Sequence, residues 1–181
     1  GRFLHPGHAW IVVHQPRLAT IGIDDFMRRI VGKISHIDLP RNNSVVHQGD
    51  PLVTLRRSSG KSVTIVAPLS GILAEVNESL AVDPEAFNTS PYGDGWIAKI
   101  IPFNLTVELR NLMRGSMASM WREALRMQLV QWFAPKLGPV LQDGGEFVEN
   151  LSDLISDEEW PALLNEFFPT IHHDHHHSSK R

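Results

Sequence analysis

Pro91-Tyr92-Gly93-Asp94-Gly95-Trp96-Ile97-Ala98-Lys99-Ile100 is the stretch on which the reading of the fold turns. Two glycines flanking Asp94, just behind Pro-Tyr, mark a tight loop, because glycine tolerates positive φ and lets other backbone come close. Trp96 then opens a strand-like run that lasts to Ile101, mostly apolar with Lys99 within it, and its ring is a large anchor for a small core. A β domain should therefore close at Trp96–Ile101.

Upstream of that block the chain is punctuated for β structure. Runs rich in strand-forming residues at Ala9–Val13, Ala19–Ile23, Ile34–Leu39, Leu52–Arg57, Val63–Val66 and Ile72–Val76 alternate with turn clusters such as Pro40-Arg41-Asn42-Asn43-Ser44, Gln48-Gly49-Asp50-Pro51 and Ser58-Ser59-Gly60. This spacing predicts a sandwich or flattened barrel. Between the second and third runs, Asp24 to Gly32 reads as a short helix with an acidic start and a glycine stop, Phe26, Ile30 and Val31 facing the core.

Downstream of Pro102 the apolar period changes from two to about 3.6. Leu105, Leu109, Leu112, Met113, Met117, Met120, Trp121, Ala124, Leu125, Leu129 and Trp132 form a stripe, which predicts one long helix or two broken near Gly115, ended by Pro135. Met113, Met117, Met120 and Met127 are read as packing of this appendage rather than as an adaptable docking surface. Val140–Val148, with Asp143-Gly144-Gly145, is compatible with a small hairpin. Ser156 and Glu159 have capping-box spacing before a last helix whose Trp160, Leu163, Leu164, Phe167 and Phe168 share a face. So apolar an extension should pack on itself, on the β domain or across a homo-oligomer.

The 181 residues, 42% hydrophobic and 20% charged, suffice for a core domain plus an appendage. A net charge of −3 gives no general attraction to nucleic acid. With no cysteine, disulfides, zinc-thiolate sites, iron–sulfur clusters and thiol nucleophiles are excluded. No apolar run reaches the roughly 18 to 20 residues that span a bilayer. A cytoplasmic location is expected, with membrane contact only through a segment upstream of Gly1.

Catalytic motifs are absent as well. There is no Gly-x-Ser-x-Gly elbow, phosphate-binding loop or dinucleotide fingerprint, and Pro68-Leu69-Ser70-Gly71 reads as a turn. No catalytic residue is assigned and the chain is not read as an enzyme. His5, His8, His14, His36 and His47 lack metal-ligand spacing and are read as surface or satisfied core histidines. His172, His173, His175 and His176, beside Asp174, are the candidate metal ligands, and equally a flexible adventitious chelator.

Several blocks carry more information together than singly. His8-Ala9-Trp10, Ala19-Thr20-Ile21-Gly22-Ile23-Asp24-Asp25-Phe26, Ile37-Asp38-Leu39-Pro40, Pro68-Leu69-Ser70-Gly71, Val76-Asn77-Glu78 and the opening Pro-Tyr-Gly-x-Gly-Trp block follow one another in order. In that order residues 8–101 resemble the glycine cleavage system H-protein family, a lipoyl-carrier fold. The resemblance implies an α+β protein: an H-protein/lipoyl-domain-like β sandwich, or flattened hybrid barrel, over 1–103. A helical extension over 104–170 and a disordered His-rich tail over 171–181 would make it a divergent paralogue. His36 lies where the family often has an aromatic residue, which implies a packing role.

The resemblance also implies a function. Family members present a lipoyl group on a lysine at a hairpin tip, within a Glu-Ser-x-Lys-type motif, to partner enzymes. The corresponding hairpin here is Leu55-Arg56-Arg57-Ser58-Ser59-Gly60-Lys61-Ser62-Val63. Counting from Gly49 places the expected lysine at Ser59, and counting back from Pro68 places it at Gly60, so the hairpin holds an extra residue. Lys61 is the candidate lipoyl-lysine, out of register, and Arg56 and Arg57 replace the acidic residue; both facts weigh against a lipoyl group. Arg56, Arg57, Ser58, Ser59 and Gly60 form the candidate partner-binding tip, otherwise an ordinary solvated turn.

The leading expectation is a non-enzymatic component that presents this hairpin to glycine cleavage or other lipoate-linked enzymes. The alternative is an unlipoylated binding or scaffold module that docks another membrane or redox complex.

Overall fold

The structure is a computed structural model and describes residues 1–15, 17–137 and 151–168. Its nine strands among these residues are β1 (Arg2–Leu4), β2 (Ala9–Gln15), β3 (Leu18–Ile23), β4 (His36–Asp38), β5 (Val45–Val46), β6 (Pro51–Arg56), β7 (Ser62–Val66), β8 (Gly71–Val76) and β9 (Ala98–Pro102). They form a six-stranded sheet in the order β1-β2-β3-β9-β8-β5 and a three-stranded sheet β4-β6-β7. Every pairing is antiparallel. The expected α+β sandwich is therefore present.

Period-two alternation sends one side of each strand inward. From the large sheet come Ala9, Ile11, Ala19, Ile21, Ile23, Leu73 and Ile100, and from the small one Ile37, Val53, Leu55, Val63 and Ile65, all in one buried cluster. On the outer side Trp10 stands directly across from Gly22. Its indole lies over that glycine, where a Cβ would fall 2.1 Å from the ring. Trp10 Nε1 donates to the Pro91 carbonyl at 3.1 Å. This ties the first long strand to the Pro-Tyr-Gly-x-Gly-Trp loop.

Helix α1 (Asp25–Val31) begins as its sequence requires. Asp24 caps it by accepting from the Met27 amide at 3.3 Å, and Gly32 at φ 84° ends it. Ile30 and Val31 are buried as expected, Phe26 is partly buried against the same core, and Met27 joins them as a further buried position. Short helices α2 (Ser79–Val82) and α3 (Glu85–Thr89) follow β8. Asn88 in α3 pairs its side-chain amide with both the amide and carbonyl of Ile34, at 2.9 Å each, in place of a neighbouring strand.

After β9 come α4 (Leu105–Glu108), a 3-10 turn (Leu109–Asn111) and α5 (Gly115–Leu137), so the helical region breaks just before Gly115. Pro135 lies inside α5 instead of stopping it. Lacking an N–H, Pro135 forfeits only the one ladder bond it would donate to the Gln131 carbonyl, and the helix continues to Leu137. The expected methionine packing holds for Met113, partly buried against the cluster of Leu4, Trp10 and Ala118, and is corrected for Met117, Met120 and Met127, which are exposed while Ala118, Leu125, Leu129 and Phe133 are buried. Both sets recur at helical spacing, and only the tertiary contact decides which faces inward.

A second 3-10 turn (Leu151–Leu154) precedes α6 (Trp160–Phe167), whose capping box forms as expected: the Glu159 amide donates to Ser156 Oγ at 3.2 Å. Leu151, Ile155, Trp160, Leu163 and Phe167 join the same buried cluster as the sheets. The expected hairpin at Val140–Val148 and the histidine tail with His172, His173, His175 and His176 lie outside the described residues.

Candidate functional site

The hairpin singled out by sequence connects β6 to β7. Leu55 faces Val63 and Val53 faces Ile65 on the buried side, while Thr54 and Thr64 share a hydrogen bond of 2.9 Å on the outer side. The turn closes through Arg57 N to the Lys61 carbonyl at 2.9 Å and Gly60 N to the Arg57 carbonyl at 3.0 Å. Gly60 has φ 94° with open space where a Cβ would be. Only glycine takes this conformation at no steric cost, which is why it holds the last tip position.

Ser58, Ser59 and Gly60 project into solvent, as a presented tip should. Of the three cations around them, Arg56 shares that exposure and Arg57 and Lys61 do not. Arg56 Nε donates to Asp38 Oδ2 at 2.7 Å on the neighbouring strand β4, and the hydrogen bond from Arg56 holds the Asp38 carboxyl below the usual carboxylate range. Arg57 donates to Ser152 Oγ and, at 2.7 Å, to Asp153 Oδ1. The solvated turn read from sequence holds for the tip but not for Arg57 and Lys61, whose side chains are 12% and 10% exposed.

Lys61 is the most constrained of the three. Its Nζ donates to the carbonyls of Ser152 at 2.8 Å and Ile155 at 2.7 Å, beneath the Trp160 ring at 5.9 Å. The Trp160 indole N–H donates to the Ser62 carbonyl at 3.0 Å, next to Lys61 in sequence. Ser152, fully buried, donates its hydroxyl to the Val31 carbonyl at 2.8 Å at the end of α1. The segment from Leu151 to Phe167 thus lies over one side of the hairpin and is fastened to it through both backbone and side chains. As placed, the Lys61 amine does not fit the free, outward amine that a lipoyl-lysine needs.

A matching link stands at the other end of the segment, at His8. This residue is fully buried, as a satisfied core histidine would be, between Asp24 and the Phe167 carbonyl. His36, by contrast, does not pack: it is exposed on β4 and meets Asp38 at 2.8 Å. Ile37, the next residue, takes the inward position, and alternation puts His36 outside. Among the described residues no group of three or more His, Asp or Glu is placed to hold a metal ion. No helix among them is long and apolar enough to cross a membrane.

Sequence reasoning did not find Ser152, Ile155 or Trp160 as hairpin neighbours. The local signal marked only a helix start at Ser156 and an apolar face, neither of which says where the helix docks.

The architecture, hairpin and order of blocks can be set beside known proteins. The family model for the glycine cleavage H-protein matches residues 2–123. The chain belongs to that family. It is 40% identical over 114 residues to a probable glycine cleavage system H protein of Pyrococcus furiosus, covering 62% of this chain and 83% of the relative. A glycine cleavage system H-like protein of Chlamydia pneumoniae is 33% identical over 93 residues, covering 51% and 80%. The crystal structure of a glycine cleavage system H protein from Mycobacterium marinum superposes with a TM-score of 0.52 at 25% identity, covering 56% of this chain and 83% of that one. The H-protein family match spans the sandwich and the hairpin and ends within α5, so residues 124–168 are additional to it. These relationships favour an H-protein-like component over a scaffold for an unrelated membrane or redox complex.

Proposed function

We propose that this chain is a non-enzymatic H-protein-family component that offers the β6–β7 hairpin to partner enzymes of the glycine cleavage or another lipoate-linked system. The observation that carries the reading is the rigid, glycine-closed tip of Ser58, Ser59 and Gly60, exposed on a hairpin in the family's sandwich. Lys61 is the sole lysine between Lys33 and Lys99, hence the candidate amine for a lipoyl group on this hairpin. Such a group, joined through an amide, supplies a dithiolane on a long arm.

Two features shape how Lys61 could serve. The extra residue and the arginines in place of an acid alter what a lipoate-attaching enzyme meets, and its amine is held by Ser152 and Ile155. The wild-type chain is therefore expected to stay largely unmodified in the presence of lipoate, ATP and a lipoate-attaching enzyme. A second reading, with Lys61 only a structural clamp, is favoured by those same two carbonyl contacts.

Intact-mass measurement on the full chain and on Leu163→Asp, chosen to loosen α6, separates the two readings. One lipoyl mass on Leu163→Asp that is lost in Leu163→Asp with Lys61→Ala supports the carrier. No modification of either chain, or modification at another lysine, removes Lys61 as carrier and leaves the clamp.

A further inference from the structure

We infer that the Leu151–Phe167 segment is an intramolecular cover that occupies the surface through which a partner protein engages the hairpin lysine, so that cover and partner exclude one another. This rests on the reading above that the hairpin is what the chain offers. It concerns residues beyond the family match, which ends at residue 123.

The contacts are specific to the functional end of the hairpin. Of the polar links from this segment to β6, β7 and their turn, those through Arg57, Lys61 and Ser62 all fall within six residues of sequence. An apolar appendage docking only to complete a core would bury Leu151, Ile155, Leu163 and Phe167 and have no need of the lysine's amine. Here the amine's hydrogen bonds go to two backbone carbonyls, acceptors that persist whatever side chains occupy those positions.

The closure is also imperfect in a way that favours release. Arg57 Nε is buried without a hydrogen-bond partner, and a buried unsatisfied donor on a charged group is costly. Opening the cover returns that donor and the Lys61 amine to water. Two links that do not touch the hairpin also hold the segment, Lys136 of α5 to Glu159 at 2.6 Å near its middle and His8 to the Phe167 carbonyl at 2.7 Å at its far end. Opening it also uncovers Leu151, Ile155, Leu163 and Phe167, so whatever displaces the segment must cover that apolar strip in its place.

The cover also describes the partner that displaces it. A competitor must set an acidic side chain against Arg57, carbonyl acceptors against Lys61 and an apolar, aromatic strip against the exposed edge of the core. A short acidic amphipathic helix or turn of another protein meets these conditions.

The test reads Lys61 directly, without lipoate. The full chain is treated briefly with a small amine-acylating reagent and each lysine is followed by peptide mass mapping. Lys33, 75% exposed, serves as the reactive reference, and Lys99, paired with Glu75 on the sheet, as the reporter of global unfolding. Wild-type Lys61 should react at least about tenfold more slowly than Lys33, and Leu163→Asp or the milder Trp160→Phe should raise Lys61 severalfold while leaving Lys99 unchanged. Lys61 reacting as fast as Lys33 in the wild type, or failing to rise in both variants, overturns the cover. A parallel rise at Lys99 in Leu163→Asp marks unfolding, and the Trp160→Phe arm then decides. Protection that is relieved by these substitutions, with no lipoyl attachment in any variant, keeps the cover and removes the carrier reading.

Discussion

His8 Nε2 donates to the backbone carbonyl of Phe167 across 2.7 Å, while its Nδ1 lies 3.0 Å from Asp24 Oδ2. A carbonyl can only accept, so the Nε2 proton points at the last described helix. The imidazole stacks on Phe26 with ring centroids 5.1 Å apart and is flanked by Trp121 and Phe168. Its backbone, at φ 73°, also accepts from the Asp24 amide at 2.8 Å. One side chain thus joins the entry to β2, the start of α1 and the end of α6.

His8→Ala should therefore destabilise the full chain by about 3 kcal/mol, because the Asp24 carboxyl and the Phe167 carbonyl each lose a partner in buried surroundings. His8→Gly should be milder by about 1 kcal/mol, since glycine relieves the positive φ that alanine retains. Urea melts of the three chains measure both differences. A loss below about 1 kcal/mol in His8→Ala would mean that the two acceptors find water instead.

Gly22 and Trp10 provide a second, independent prediction. A methyl group at residue 22 would fall 2.1 Å from the Trp10 ring, which cannot withdraw without giving up its bond to Pro91. Gly22→Ala should cost about 2 kcal/mol or more by overpacking. In a Trp10→Leu background the same substitution should cost much less, a coupling that a double-mutant cycle of thermal melts reads out. Equal costs in the two backgrounds would place the strain elsewhere.

Much of the sandwich was legible because its signals are local. Turn residues, alternation and the Asp24 cap each act within a few residues, and the order of the blocks carried the resemblance to the family. The two short strands were missed for the same reason: Arg2–Leu4 and Val45–Val46 offer too few residues for a period and exist through pairing with β2 and β8. At the site, sequence located Lys61 and the exposed tip but not the cover. The bonds from Lys61 reach Ser152 and Ile155, about ninety residues away, and go to backbone carbonyls, which have no residue signature. The methionines of α5 were misread because two apolar sets at helical spacing compete for one buried face.

Acid should loosen the cover before the sandwich. The hydrogen bond from Lys136, joined by those from Ser156, holds the Glu159 carboxyl below its ordinary value of 4.5. A carboxyl depressed in the folded state contributes stability that is present above its unfolded value and is lost as pH falls through the lower folded one. Protection of the 151–167 amides against hydrogen exchange, relative to β3 and β9, should thus decline as pH is lowered from 6 toward 3. Asp38, held down by Arg56, titrates toward the same acid range but sits on β4. Glu159→Gln should weaken protection at pH 6 and flatten its further decline; an unchanged profile would show that the Lys136 link does not hold the cover.

The expected boundary at residue 103 leaves all nine strands described here on one side, with the sandwich's inward residues largely among them. What such a fragment gives up is specific: the reciprocal backbone bonds between Leu4 and Met113, at 2.7 and 2.8 Å, and the burial supplied by Phe133, Leu151 and Phe167. We propose that residues 1–103 nevertheless melt cooperatively as a compact unit. Their Tm should fall more than about 10 °C below that of the full chain, since a loss of ~1 kcal/mol lowers Tm by roughly 4–8 °C in a domain of this size. Lys61 in that fragment should react with the amine reagent as readily as Lys33, because Ser152 and Ile155 are gone. A compact, cooperative fragment with a protected Lys61 would contradict the cover alone, whereas an expanded or non-cooperative fragment would show that the helices complete the core and move the boundary beyond 103.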